Sequence, residues 1–436
     1  MKYTFIYLLL TIFVPISYSQ IYIPIDTTNI SIKTASSENY KVVSKNYLKS
    51  VSKTLSFKEK KLLKKRFKGF DKRFFDDIDS GLYVFDSRFE KIITKIITEI
   101  TLKNPIVPSD LSFFVSRDNT LNASSVGNKC VIINLGSFYY LQNIDQLASI
   151  IAHEISHFLL NHMIKDMQHL YSLGMNSSNK NEIAAIMNEK YNRGDIASSK
   201  LKNIVYDISS SYRKDEYEAD SLGYLLIKNT NFNHSDFINS FKLCEAYDTI
   251  QPIGLKYEMY KKLFDLPNQP FEEQWMKMDD FSAYDYSKFK EKYNEDSLKY
   301  HPETDERIKN LKMKFPELNV DGAVAEADSV FKELQNTVKF EQPNSLFLEK
   351  EYGVGIYLCL YRIQNEDHSH YYKEWLGRFF EKIYEARKSY TLNRYLERLE
   401  PKHQSESYQQ FLSFMWNLNL VEIKTIAEHY NIKGSK

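Results

Sequence analysis

The sequence predicts a mainly α-helical protein with a small β-sheet, an α+β arrangement. Three observations carry this. Gly (13) and Pro (11) are sparse in 436 residues while Tyr (32) and Phe (28) are plentiful, which suits long helices packed on aromatic rings. The longest apolar patterns repeat at three- and four-residue steps. Only Leu111–Ser116 (LSFFVS) and Cys130–Asn134 (CVIIN) are short β-branched or aromatic runs bounded by turn residues.

Length allows two domains, or one large domain with an accessory region. A hydrophobic fraction of 43% and a charged fraction of 26% are those of an ordinary folded protein. The formal net charge of +1 and the lack of a basic domain argue against a nucleic-acid partner. Cys130, Cys244 and Cys359 show no C-x-x-C spacing, which excludes a zinc ribbon or a thioredoxin-type motif. One disulfide is open to them in an oxidising compartment.

Residues 1–19 read as a secretory signal. Lys2 supplies the positive start, Phe5–Ile16 the apolar run, and Ser17 and Ser19 the small residues at −3 and −1 of a cleavage site before Gln20. The alternative is an uncleaved anchor, but the run is shorter than the ~20 residues a span needs. No Cys follows the site, so a lipid anchor is not expected. The mature chain is expected to be exported and soluble, periplasmic in preference to secreted.

Residues 20–75 read as an N-terminal arm, irregular or an edge strand over 20–50. Phe57–Phe75 is strongly basic and has two readings: a patch touching acidic membrane lipid, or a solvated helix face over Leu62, Leu63 and Phe67. The second is preferred. Phe89–Leu102 is an amphipathic helix, followed by the two strands. A long helix then opens at Asn143, which with Gln146 resembles a capping box, and buries Leu147, Ile150, Ile151, Ile155, Phe158 and Leu159. Residues 76–315 form the domain that carries the chemistry. Residues 316–436 form a helical accessory domain without a detectable 34-residue repeat, a surface open to a protein partner.

The chemistry sits at His153-Glu154-Ile155-Ser156-His157, an H-E-x-x-H motif inside the long helix. Residues four apart differ by about 40° around a helix, so both imidazoles leave one face and can bind one ion. Zinc suits such donors. Glu154 is placed to take a proton from a metal-activated water rather than to bind the metal. The bland reading is two surface histidines, but the flanking isoleucines put this helix in a core, where unpaired imidazoles are costly. A catalytic zinc needs a third protein ligand. Glu216-Tyr217-Glu218-Ala219-Asp220 offers one: Glu216, Ala219, Asp220 and Gly223 share a helix face, and the small residues permit close approach. Asp220 could then orient a ligand histidine through its second nitrogen. From the residues alone, an exposed acidic helix is an equal reading.

HEISH, EYEAD and the later His301-Pro302 with Arg307, together with the Asn122-Ala123 pair and the run to His162, resemble the gluzincin peptidases of the HtpX and CAAX-prenyl-protease type. The resemblance spans about residues 80–312. It implies a zincin-like fold and a zinc metalloendopeptidase with one Zn2+ per chain, held by His153, His157 and Glu216. It makes Glu154 and His301 catalytic, His301 as a stabiliser of the tetrahedral intermediate, and Arg307 a buried charge partner. Asn122 lies on the segment that pairs with an extended polypeptide substrate. The Ala123-Ser124-Ser125 stretch is more polar than the family's pattern. With the export signal, the expected function is hydrolysis of unfolded or misassembled envelope proteins; the alternative is an envelope assembly or chaperone-like factor with a latent site. His162 and His169 are read as packing or surface residues.

Overall fold

Four short strands form one sheet in the order β1-β2-β4-β3: β1 (Tyr83–Val84), β2 (Ser112–Ser116), β3 (Ala123–Ser125) and β4 (Cys130–Asn134). The computed structural model describes residues 22–175, 193–249, 254–278, 302–319, 322–365, 368–400 and 404–431. The expected export signal and His301 lie outside the described residues. β2 and β4 are parallel, Ser112 opposite Cys130 and Ser116 opposite Asn134, while β1 and β3 flank them antiparallel. The mainly helical chain with a small sheet is what the composition predicts.

The sheet is buried on both faces, and the two-residue period of a strand sorts its side chains. Phe114, Cys130 and Ile132 face one layer with Tyr40, Phe74 and Ile78; Val115, Val131 and Ile133 face the main core. The first layer comes from α1 (Ile30–Val51) and α2 (Phe57–Asp79). This corrects the irregular or edge-strand reading of residues 20–50. Asn29 caps α1 by accepting from Ile32 N–H at 3.2 Å, and the helix buries Tyr40, Val43 and Tyr47 at three- and four-residue spacing. Polar composition concealed that narrow apolar stripe. Ser56 and Glu59 form a reciprocal capping box on α2, an arrangement whose cap contributes about 1 kcal/mol. α2 buries Leu63, Phe67, Phe74 and Ile78 while Leu62 is exposed and its lysines face outward.

The opposite face of the sheet packs on α3 (Ser87–Lys103), α4 (Leu135–Tyr140) and α5 (Ile144–Leu159). Beyond these come α6 (His162–Met175), α7 (Arg193–Lys228), α8 (Ser235–Thr249), α9 (Tyr257–Phe264) and α10 (Thr304–Lys314). The last five helices are α11 (Ser329–Leu348), α12 (Tyr352–Asn365), α13 (Ser369–Lys388), α14 (Glu406–Asn417) and α15 (Leu420–Asn431).

A boundary at 315/316 does not match the way the cores divide. α9 and Trp275 pack with α12 to α15, whereas Phe331, Leu334 and Val338 at the start of α11 complete the core around α5. α11 therefore belongs to both bodies. At its middle, Glu341 pairs with Arg117 at 3.2 Å, both buried, and accepts from Ile25 N–H. The net gain from such a buried pair is small, but removing one partner costs about 3–5 kcal/mol because the other charge is left buried and unpaired. No disulfide forms among the described residues, and Cys130 and Cys359 are buried in separate cores. No described helix is long and apolar enough to cross a membrane.

Candidate metal centre

α5 is positioned before its histidines are reached. Asn143 accepts from Gln146 N–H at 2.8 Å, but the Gln146 carboxamide reaches Gln142 N–H rather than the cap residue, so the capping box is half formed. Leu147, Ile151 and Ile155 are fully buried, while Ile150 and Leu159 are only partly so. α7 crosses α5 at Gly223. A Cβ there would stand 3.1 Å from His153 Cα and 3.2 Å from its nitrogen, so only glycine permits this approach without displacement. Ala219, one turn earlier, is fully buried.

That approach brings Glu216 to the two histidines. His153 Nε2 and His157 Nε2 are 3.0 Å apart, and the Glu216 carboxylate lies 3.5 Å from the first and 3.3 Å from the second. Three donors bound tetrahedrally at ~2.0–2.1 Å stand ~3.3–3.4 Å from one another. The donor set and its spacing are close to what a zinc-sized ion needs. His153, His157 and Glu216 are among two groups of described residues able to hold a cation.

The surrounding charges support this. Asp220 Oδ1 lies 3.0 Å from His153 Nδ1, and Arg307 donates to both Asp220 oxygens, at 2.6 and 2.9 Å. Arg307 also lies 3.2 Å from Glu216 and stacks over Phe241, its guanidinium carbon 4.5 Å from the ring centre. Burial pulls the His153 imidazole down, but its contacts with Asp220 and Glu216 outweigh this and raise it to about 10. The same negative field favours a dication. Burial would raise Asp220, yet the Arg307 charge and hydrogen bonds hold its carboxyl below the ordinary range, and Arg307 is raised in turn.

The site opens on a cleft of about 300 Å³ whose walls include Asn122, Ser124, Ser125, Glu154, Arg66 and Tyr47. β3 is the sheet's edge strand, and Asn122 and Val126 carry ladder bonds to β4, so the Ala123 and Ser125 amides point away from the sheet. Ser125 N–H donates to Glu154 Oε2 at 2.6 Å, which fixes that carboxylate beside the histidines. Asn122 caps the strand, its Oδ1 accepting from Ala123 N–H at 2.9 Å.

The structure thus brings together His153, Glu154, His157, Glu216, Asp220, Arg307 and Asn122; His301 lies outside the described residues. Sequence reasoning missed His162. It is 3% exposed, with Nδ1 2.9 Å from His157 Nδ1. Burial and the neighbouring His157 push it down to about 4. Its position five residues after His157, across a helix break, carries no helical-face signal.

A model of peptidase family M48 matches residues 86–314, just over half of the chain. The chain belongs to peptidase family M48. No curated protein matches it. M48 enzymes are metal-dependent peptidases, so this chain is a metallopeptidase whose substrate is polypeptide.

Proposed function

We propose that this M48 peptidase is an exported, zinc-dependent endopeptidase that cleaves unfolded or misassembled envelope polypeptides. The observation that carries the reading is the convergence of His153, His157 and Glu216 beside Glu154 at the open edge of β3. His153, His157 and Glu216 would hold the ion. A bound zinc supplies Lewis acidity, polarising the scissile carbonyl and lowering the pKa of water.

The chain's own residues do the rest. Glu154 accepts a proton from the attacking water and returns it to the leaving amine as the C–N bond breaks. The outward edge of β3 takes an extended peptide by main-chain pairing, the peptide carbonyls replacing Glu154 and Asn122 at the Ser125 and Ala123 amides; such pairing requires an unfolded substrate and imposes little sequence preference. Asn122 sets the conformation of that edge through Ala123. Asp220 and Arg307 orient His153 and Glu216. His301 completes the site in the family resemblance as the stabiliser of the tetrahedral intermediate. The signal read in residues 1–19 supports export.

The test is casein hydrolysis by the mature protein. Glu154→Gln should lower the rate by about 10²–10⁴-fold with metal content unchanged, and a chelator should abolish it. Full activity after either treatment would contradict the mechanism.

A further inference from the structure

We propose that His162 is a positioning residue for His157, accepting a hydrogen bond from its Nδ1–H and thereby fixing how that ring meets the metal; this rests on the zinc reading above. Asn161, in the left-handed region at φ 57°, reverses the chain between α5 and α6 and presents the His162 ring edge-on to His157, with centroids 4.9 Å apart.

Counting hydrogens assigns each atom. A neutral imidazole that gives its Nε2 lone pair to a metal carries its hydrogen on Nδ1. His157 Nε2 is the atom that faces His153 and Glu216, so its Nδ1 is the donor. His162 Nδ1, 2.9 Å away, must then be the acceptor, which leaves the His162 hydrogen on Nε2. That nitrogen faces Glu218 Oε2 at 3.4 Å, with Asp215 Oδ1 at 3.6 Å. Both are acceptors, as the assignment requires.

His162, Asp215 and Glu218 also have the composition of a second cation site. The hydrogen count rules against filling both. A metal on His162 Nε2 would place hydrogens on both Nδ1 atoms, two donors facing each other at 2.9 Å. Lys165 and Lys214 already stand 3.5 and 3.8 Å from Glu218. The second cluster serves the first.

The two ligand histidines are therefore held differently. His153 faces a carboxylate that Arg307 locks, whereas His157 faces a neutral ring. A neutral acceptor orients the ligand without adding a full negative charge behind it, which preserves the Lewis acidity of a bound ion. Groups of this kind typically contribute 10–100-fold to metal affinity.

Zinc affinity of the full mature chain, measured by competition with a chromogenic chelator, tests this. His162→Phe keeps a ring but no acceptor and should weaken binding by about 10–100-fold. His162→Asn places a carboxamide oxygen near the lost Nδ1 and should recover most of the loss. Unchanged affinity in His162→Phe, or equal weakening in both variants, overturns the proposal while leaving the zinc reading intact. A wild type that binds no zinc overturns both. Should His162→Phe fail to fold, long-range proton–nitrogen correlations of the histidine-labelled, zinc-loaded wild type decide. An Nε2–H tautomer at His162 supports the relay, and an Nδ1–H tautomer overturns it.

Discussion

Gly223 touches the backbone of His153: a Cβ at residue 223 would lie 3.1 Å from His153 Cα, and this contact sets the distance from Glu216 to both histidines. Glycine inside a helix costs about 1 kcal/mol relative to alanine, so its position in α7 is a packing requirement. Gly223→Val should push α7 from α5, lowering stability by about 1–3 kcal/mol and reducing metal affinity. Denaturant unfolding and chelator competition check both effects. Wild-type values for both would show that the close approach is not what places Glu216.

Asp220 should make the protein acid-sensitive. Its folded carboxyl is held below the ordinary value of 3.8, so the unfolded chain binds the proton more readily. The stability from this pair is fully present above that ordinary value and is lost as pH falls through the lowered folded one. Asp220→Asn leaves Arg307 without its main buried partner and should cost about 3 kcal/mol at neutral pH. Unfolding with chelator present, at a series of pH values, should show the difference between wild type and Asp220→Asn shrinking below about pH 4. A difference independent of pH would remove Asp220 as its source.

Truncation after residue 320 should not yield a working peptidase. Phe331, Leu334 and Val338 are buried to within 1% in the core around α5, and removing three such side chains costs several kcal/mol. Expression of residues 20–320 should give insoluble or unfolded protein by circular dichroism. A folded, active fragment would show that the α11 contacts are dispensable.

What was legible in the sequence follows from what is local. The shared face of His153 and His157 is set by helix geometry, and a helix reports its faces in its own periodicity, whereas Glu216 and Asp220 stood level with an exposed acidic helix until the family resemblance singled them out. β2 and β4 were legible through Phe113, Phe114, Ile132 and Ile133. β3 was not, because Ala-Ser-Ser has no strand signal and owes its extension to pairing with β4. Nor was His162: its contact with His157 crosses a chain reversal that depends on Asn161 adopting positive φ. The mixed cores of α9 and α11 were hidden for the same reason, since hydrophobic contact is decided by space rather than sequence order.

The proposed mechanism depends on one ion held by His153, His157 and Glu216. Elemental analysis of the purified mature protein beside Glu216→Ala, both dialysed against the same buffer, measures it most directly. About one zinc per wild-type chain and a clearly substoichiometric amount in the variant are predicted. Equal zinc in the two proteins, or none in the wild type, would contradict it.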